Sequence, residues 1–175
     1  MRKKAILLIA AAMMLMAGTA SAQNIKIPGT NVSFTLKKGN WRYLRTYKLD
    51  DGASKYVYYY VRETLIDSEG DTVLPFLSVY VNESYSGDLY SLVYERYMLQ
   101  PYQSLKEYTH GIGLPAKGGL GYEGAYTNPS EHKDYQFMMT YFSAGKAVVE
   151  LRLETTKDTF GKLEEEFENI LNTVK

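Results

Sequence analysis

Two consecutive runs near the C-terminus leave this chain little choice of how to fold. Lys133 to Phe142 reads as a strand, Ser143-Ala144-Gly145 as a turn, and Lys146 to Thr155 alternates Ala147, Val149, Leu151 and Leu153 against Val148, Glu150, Arg152 and Glu154. A period of two is the mark of an extended chain with two unlike faces, and two such runs joined by small residues make an antiparallel hairpin. This is the clearest pairing in the sequence, and it commits the fold to a sheet.

Further strands precede it. Val32 to Leu36 alternates, Lys37 to Asn40 turns, and Trp41 to Leu49 extends, with Trp41, Tyr43 and Arg45 on one side and Arg42, Leu44 and Thr46 on the other. Asp50-Asp51-Gly52 has turn chemistry, and Ser54 to Thr64 follows with Tyr56, Tyr58 and Tyr60 on one face and Val57, Tyr59 and Val61 on the other. Both faces are apolar, which places this strand centrally in a sheet covered on two sides. Asp67 to Asp71 turns again. Thr72 to Asn82 is the next strand, and Pro75 marks it as an edge strand or one bulged near its start.

Helices are fewer. Ser86 or Asp88 can cap a helix that carries Leu89, Leu92, Val93 and Arg96 or Tyr97 at helical spacing until Pro101. Leu105 to His110 is a short strand, and the glycine-rich passage Gly111 to Gly121 leads into an extended stretch ending near Thr127, before the turn Asn128-Pro129-Ser130. Asp158 can cap a closing amphipathic helix in which Phe160, Leu163, Phe167, Ile170, Leu171 and Val174 form one stripe and Lys162, Glu164, Glu165 and Glu168 the wet side. With no repeat or linker, residues 23–175 read as one α+β domain.

The N-terminus adds a compartment. Arg2, Lys3 and Lys4 precede an apolar run from Ala5 to Ala17, Gly18 breaks it, and Ala20-Ser21-Ala22 is a small-x-small cleavage site, so residues 1–22 read as a cleaved signal peptide and the mature chain begins at Gln23. The apolar run is too short for a retained anchor, and the absence of cysteine excludes a lipidated one. The product is expected in the periplasm or secreted. Lack of cysteine also removes disulfides, thiol nucleophiles and cysteine-bound metals, leaving about 150 residues to be stabilised by packing alone. Acidic and basic residues balance at 20 each, and the signal removes three cations, so the mature domain is mildly acidic, without a basic patch for nucleic acid.

The strand order, with Val32-Ser33-Phe34-Thr35-Leu36 leading to Trp41, and the ending Ala147-Val148-Val149-Glu150, Phe160, Phe167 and Glu168-Asn169-Ile170-Leu171, resembles the PsbP, Mog-type and DcrB-like superfamily. The resemblance implies a central antiparallel sheet packed by helices, an α/β/α sandwich, and proteins that serve as assembly factors, cofactors of larger complexes or chaperones. The matching residues are packing residues, so no functional residue carries over.

Candidate chemistry is thin. Gly119-x-Gly121-x-x-Gly124 matches the dinucleotide fingerprint in letters, but Ala125 to Pro129 extends and turns where a helix is required. Asp67, Glu69 and Asp71 alternate like the start of a calcium loop without its later glycine and closing glutamate. Glu164-Glu165-Glu166 with Glu168 is a solvated helix face. His110 and His132 lack a partner at metal-ligand spacing, and no Gly-x-Ser-x-Gly elbow accompanies them. No cofactor or metal site is expected.

What stands out is 17 tyrosines against six phenylalanines and one tryptophan. A tyrosine ring buries apolar area while its hydroxyl needs a partner, which suits half-buried strands and recognition surfaces alike. Tyr56, Tyr58 and Tyr60, with Tyr43 or Tyr122 beside them, are the candidate binding residues: core if a helix covers them, a contact face if open. The expected function is recognition of a protein or other envelope component without catalysis. The competing readings are a small hydrolase using His110 or His132, which requires a serine and a carboxylate beside the ring, and a carrier with an enclosed apolar cavity.

Overall fold

The computed structural model describes residues 22–49, 55–99, 102–107 and 119–175. The segment expected to be a signal peptide, up to residue 21, and His110 lie outside them. The C-terminal hairpin is the centre of the molecule. Strands β10 (Lys133–Ala144) and β11 (Ala147–Thr156) pair from Tyr135↔Thr156 to Ala144↔Ala147. The loop between them is only Gly145-Lys146, with φ 69° at Gly145, the left-handed conformation glycine adopts without strain at the head of a tight hairpin.

The remaining long strands extend this hairpin on both sides. They are β3 (Trp41–Lys48), β4 (Lys55–Arg62), β7 (Phe76–Asn82), β8 (Tyr102–Glu107) and β9 (Leu120–Asn128), and the sheet runs β3-β4-β7-β11-β10-β9-β8 with every neighbour antiparallel. The run from Ser54 to Thr64 is indeed interior, second from one edge. Strand β8 begins earlier than the Leu105 expected from sequence. The run from Thr72 to Asn82 is broken at Pro75. Thr72–Val73 forms β6 and pairs with β5 (Leu65–Ile66) in a small separate hairpin, while Phe76 onward enters the sheet as β7. Proline has no N–H for the ladder, so the strand restarts after it, and the Pro75 carbonyl accepts the Arg62 N–H at 2.9 Å. The strand is therefore not an edge: it lies between β4 and β11.

A strand not expected from the sequence, β1 (Ala22–Lys26), pairs with β2 (Ser33–Lys37) outside the main sheet. Ser33 and Lys175 exchange backbone hydrogen bonds at 3.0 and 2.9 Å, and the Thr35 N–H donates to the Thr173 hydroxyl at 2.8 Å, tying this hairpin to the end of the chain.

Helix α1 (Leu89–Leu99) is capped by Asp88, whose carboxylate accepts the Ser91 N–H at 3.0 Å and the Ser91 hydroxyl at 2.7 Å. The closing helix is two pieces, α2 (Lys157–Phe160) and α3 (Glu164–Asn172). Gly161 falls at the break, where its low helix propensity favours a turn. Asp158 is not the cap. Thr156 occupies that position, and the Asp158 carboxylate instead accepts the Thr156 hydroxyl at 2.8 Å and the Ser68 N–H at 2.7 Å. The apolar stripe nevertheless docks as its spacing demands: Phe160, Leu163, Phe167, Ile170, Leu171 and Val174 are all buried.

The two faces of the sheet are covered unequally. On one, α2, α3 and the β1–β2 hairpin enclose the main core around Phe34, Leu77, Val79, Met138, Leu151 and Phe167. On the other, α1 seals Leu92 and Val93 against Phe137, Met139, Tyr141 and Val148. An eleven-residue helix is about 16 Å long and about 10 Å wide, whereas seven strands span roughly 29 Å. One such helix covers about two strands, so the expected α/β/α sandwich is incomplete and the molecule is richer in sheet than that description.

Phe167 is fully buried, with its ring 5.8 Å from Phe160 and 6.4 Å from Trp41. Replacing it by alanine is expected to cost about 3–5 kcal/mol. Urea unfolding followed by far-UV circular dichroism then shows a lower midpoint with an unchanged slope.

Candidate functional site

The β4 tyrosines form a graded row on the face that carries the main core. Tyr60 is core: its ring meets Phe34 edge-on at 5.8 Å, and burial pushes its phenol up to about 12. Tyr58 and Tyr56 are half-buried, with centroids 6.5 Å apart. Tyr43 joins this row, 5.7 Å from Tyr60 and largely exposed. Tyr122 does not. It lies on β9, on the opposite face, against Tyr141 at 6.3 Å.

That opposite face carries an arrangement the sequence reading missed. Glu150, Arg152 and Glu154 look like the wet side of a strand, yet all ten residues of β11 are buried. Arg96 of α1 reaches Glu150 through Nε at 3.0 Å and Nη2 at 3.3 Å. Arg152 lies over the rings of Phe137, Tyr126 and Tyr102 at 4.4, 5.1 and 5.5 Å, and its Nη1 donates to the Tyr102 hydroxyl at 3.2 Å. Its Nε forms an ion pair with Glu154 without hydrogen-bond alignment. The Tyr126 hydroxyl donates to Glu154 at 2.7 Å.

Burial works against each of these charges. It raises the Glu154 carboxyl above its ordinary value despite Arg152 and Tyr126, whereas for Arg96 and Arg152 the facing carboxylates more than offset the cost and hold both guanidinium groups above theirs. Beside the cluster a cleft of about 400 Å³ opens between Tyr59, Tyr80, Tyr126, Arg96 and Glu154. The signal available in the sequence was position: charges on the centre strand of a sheet can face only a partner charge or a cleft.

The turn region resolves two other candidates. Asp67 builds its own turn, accepting the N–H groups of Glu69 and Asp71 at 3.0 and 2.8 Å, and Lys133 Nζ sits 2.6 Å from both the Asp67 and Asp71 carboxylates. The Lys133 hydrogen bond, reinforced by the two backbone donors, holds Asp67 below the usual carboxylate range. An ammonium thus stands between two of the three carboxylates that suggested a calcium loop. His132, in the left-handed conformation at φ 55°, shares a groove with Ser68 and Asp158. Its ring makes no hydrogen bond among the described residues, and the Asp158 carboxylate is already engaged by Thr156 and Ser68 N–H. Gly121 and Gly124 lie in β9, not at a helix start. A Cβ on Gly124 would strike the Phe137 ring and the Ser104 carbonyl, so this glycine serves sheet packing. Among the described residues no group of three metal-binding side chains converges.

Among the described residues, large apolar side chains also face outward at three places, the smallest being Ile66 and Leu74 around the β5–β6 hairpin. On α1, Tyr90, Tyr94, Tyr97 and Met98 are 42–65% exposed and share the side opposite Leu92 and Val93. On the edge strand β3, Tyr43, Leu44 and Tyr47 are 40–54% exposed.

No protein-family model matches the sequence, and no curated protein matches it either. Similar solved structures include the solution structure of cyanobacterial PsbP from Synechocystis, with 12% identity, 91% of this chain and 95% of that one covered, and a TM-score of 0.48. LpqN of Mycobacterium tuberculosis, described as involved in cell envelope biogenesis, is 16% identical over 94% and 95% of the two chains, also with a TM-score of 0.48. A Pseudomonas aeruginosa protein of unknown function is 12% identical over 87% and 94%, at 0.45. Identity to these three chains is 12–16%, and no residue role passes from them.

Removing one member of the buried pair separates charge from packing. Arg96→Met leaves Glu150 buried without its guanidinium partner and is expected to cost on the order of 3 kcal/mol, while Arg96→Met with Glu150→Leu recovers most of the loss. Chemical denaturation of the two single variants and the double variant measures the coupling.

Proposed function

We propose that the chain is an exported accessory protein of the bacterial envelope, cleaved after Ala22, with residues 23–175 as one domain that binds another envelope component and does not turn over a substrate. The observation that carries this reading is the outward stripe on α1. Tyr90, Tyr94, Tyr97 and Met98 follow one another at i, i+4, i+7 and i+8, so they line one side of the helix, and the other side is already committed to the sheet. A contiguous patch of large exposed apolar side chains marks an interaction site more often than chance. Tyrosine gives such a patch a large contact area at little cost in side-chain freedom.

The compartment agrees with this reading on the sequence side, through the leader described above. Among the described residues no helix is long and apolar enough to cross a membrane. The tyrosines of β4 contribute less: Tyr60 is structural, and Tyr56 and Tyr58 offer only their outer edges.

The test is site-specific photocrosslinking in cells that carry the full chain. A photoreactive residue at position 94 is expected to give a discrete adduct with an envelope component, and the same residue at exposed Asn169 on α3 to give none. Absence of an adduct from position 94 in a correctly folded, exported protein contradicts the proposal.

A further inference from the structure

The open edge of the sheet at β3 has a chemistry of its own. Leu49 N–H donates to the Lys55 carbonyl at 3.0 Å, and Glu63 N–H to the Asn40 carbonyl at 2.8 Å. In an antiparallel ladder, bonded and non-bonded pairs alternate, so the register makes Arg45↔Tyr59 and Tyr47↔Val57 bonded pairs and turns the backbone groups of Tyr43, Thr46 and Lys48 away from β4. Every residue of β3 after Trp41 is exposed. At about 3.3 Å per residue, the strand presents roughly 26 Å of edge.

Its side chains are one-sided in charge. Residues 37–48 contain five cations, Lys37, Lys38, Arg42, Arg45 and Lys48, and no acid. Among the described residues, Arg42, Arg45 and Lys48 have no carboxylate partner. The sequence reading saw no basic patch because the whole domain is mildly acidic; the sheet collects the cations on one edge. Aromatic ledges flank that edge on both faces. Tyr47 packs on Tyr59 at 5.8 Å with Arg45 4.4 Å above its ring on one face, and Tyr43 packs on Tyr60 on the other.

We propose that β3 is the docking edge for an extended acidic polypeptide segment, which adds to the seven-stranded sheet as a further strand. Backbone groups at Tyr43, Thr46 and Lys48 supply the ladder, and the cations and tyrosines select the incoming side chains. A second copy of this chain is the poorer occupant: pairing β3 with itself sets cations against cations, and the bulge between Tyr43 and Arg45 breaks the regular register. The proposal deepens the recognition reading by naming the partner's chemistry, yet it uses a surface separate from α1, so either can fail without the other.

The test uses the mature protein and a fluorescent peptide of alternating glutamate and valine, followed by anisotropy and by amide shift mapping. Saturable binding is expected, weakening with salt, with shifts concentrated at Tyr43, Thr46 and Lys48. Thr46→Pro removes an outward N–H that β4 does not use and is expected to weaken binding at least about tenfold. Arg42→Glu with Arg45→Glu is expected to do the same and to transfer binding to the matching lysine and valine peptide, which keeps the test decisive if the proline variant fails to fold. No saturable binding, or binding indifferent to both variants, overturns the proposal. So does equal binding of an oligothymidine untouched by Thr46→Pro, which makes the edge a general polyanion surface. Concentration-dependent dimerisation abolished by Thr46→Pro overturns it in favour of a second copy.

Discussion

Arg152 lies over the Phe137 ring with Glu154 beside it, in the middle of the sheet, and the rest of the second face is arranged around that pair. A charged strand buried on both sides is tolerable only if each charge meets an opposite one and each hydroxyl finds an acceptor. Helix α1 therefore delivers Arg96 as well as Leu92 and Val93, and β8 and β9 deliver tyrosines that are half apolar wall and half hydrogen-bond donor. The first face needs none of this. There Val149, Leu151 and Leu153 meet hydrocarbon and aromatic rings, and the closing helices seal them.

The division explains the abundance of tyrosine. Inside, Tyr102, Tyr126 and Tyr135 place rings against the sheet and hydroxyls on Arg152, Glu154 and Glu131. Outside, Tyr43, Tyr47, Tyr90 and Tyr94 turn the same two-sided chemistry toward solvent. The same residue type thus serves packing on a face too charged for phenylalanine and contact on surfaces too exposed for leucine.

Much of the fold was legible because it is local. The alternation of Ala147, Val149, Leu151 and Leu153 located β11, the candidate caps Ser86 and Asp88 bracketed the start of α1, and the stripe from Phe160 to Val174 found the core. The breaks at Pro75 and Gly161 were less legible, since a periodic pattern continues through a residue that the ladder or helix does not accept. Strand β1 was invisible because Ala22–Lys26 has little apolar content and exists through pairing with β2. The candidate site was legible by composition and not by place. Period two put Tyr56, Tyr58 and Tyr60 on one face, but that Phe34 of β2 meets Tyr60 among them, and that Tyr122 faces the other way, depend on how the strands are arranged. The charge row of β11 was misread for the same reason, because a strand's pattern does not say whether its polar side meets water or Arg96.

Amide hydrogen exchange resolved by residue probes this architecture most directly. The slowest amides are expected throughout β7, β10 and β11, the three strands at the centre of the sheet, farthest from its two edges. Along β3 and at Leu49 just after it, Arg45, Tyr47 and Leu49 are expected to be protected, while Tyr43, Thr46 and Lys48 exchange freely. Even protection along β3, or rapid exchange in β11, contradicts a sheet built outward from a doubly buried β11 and left open at β3.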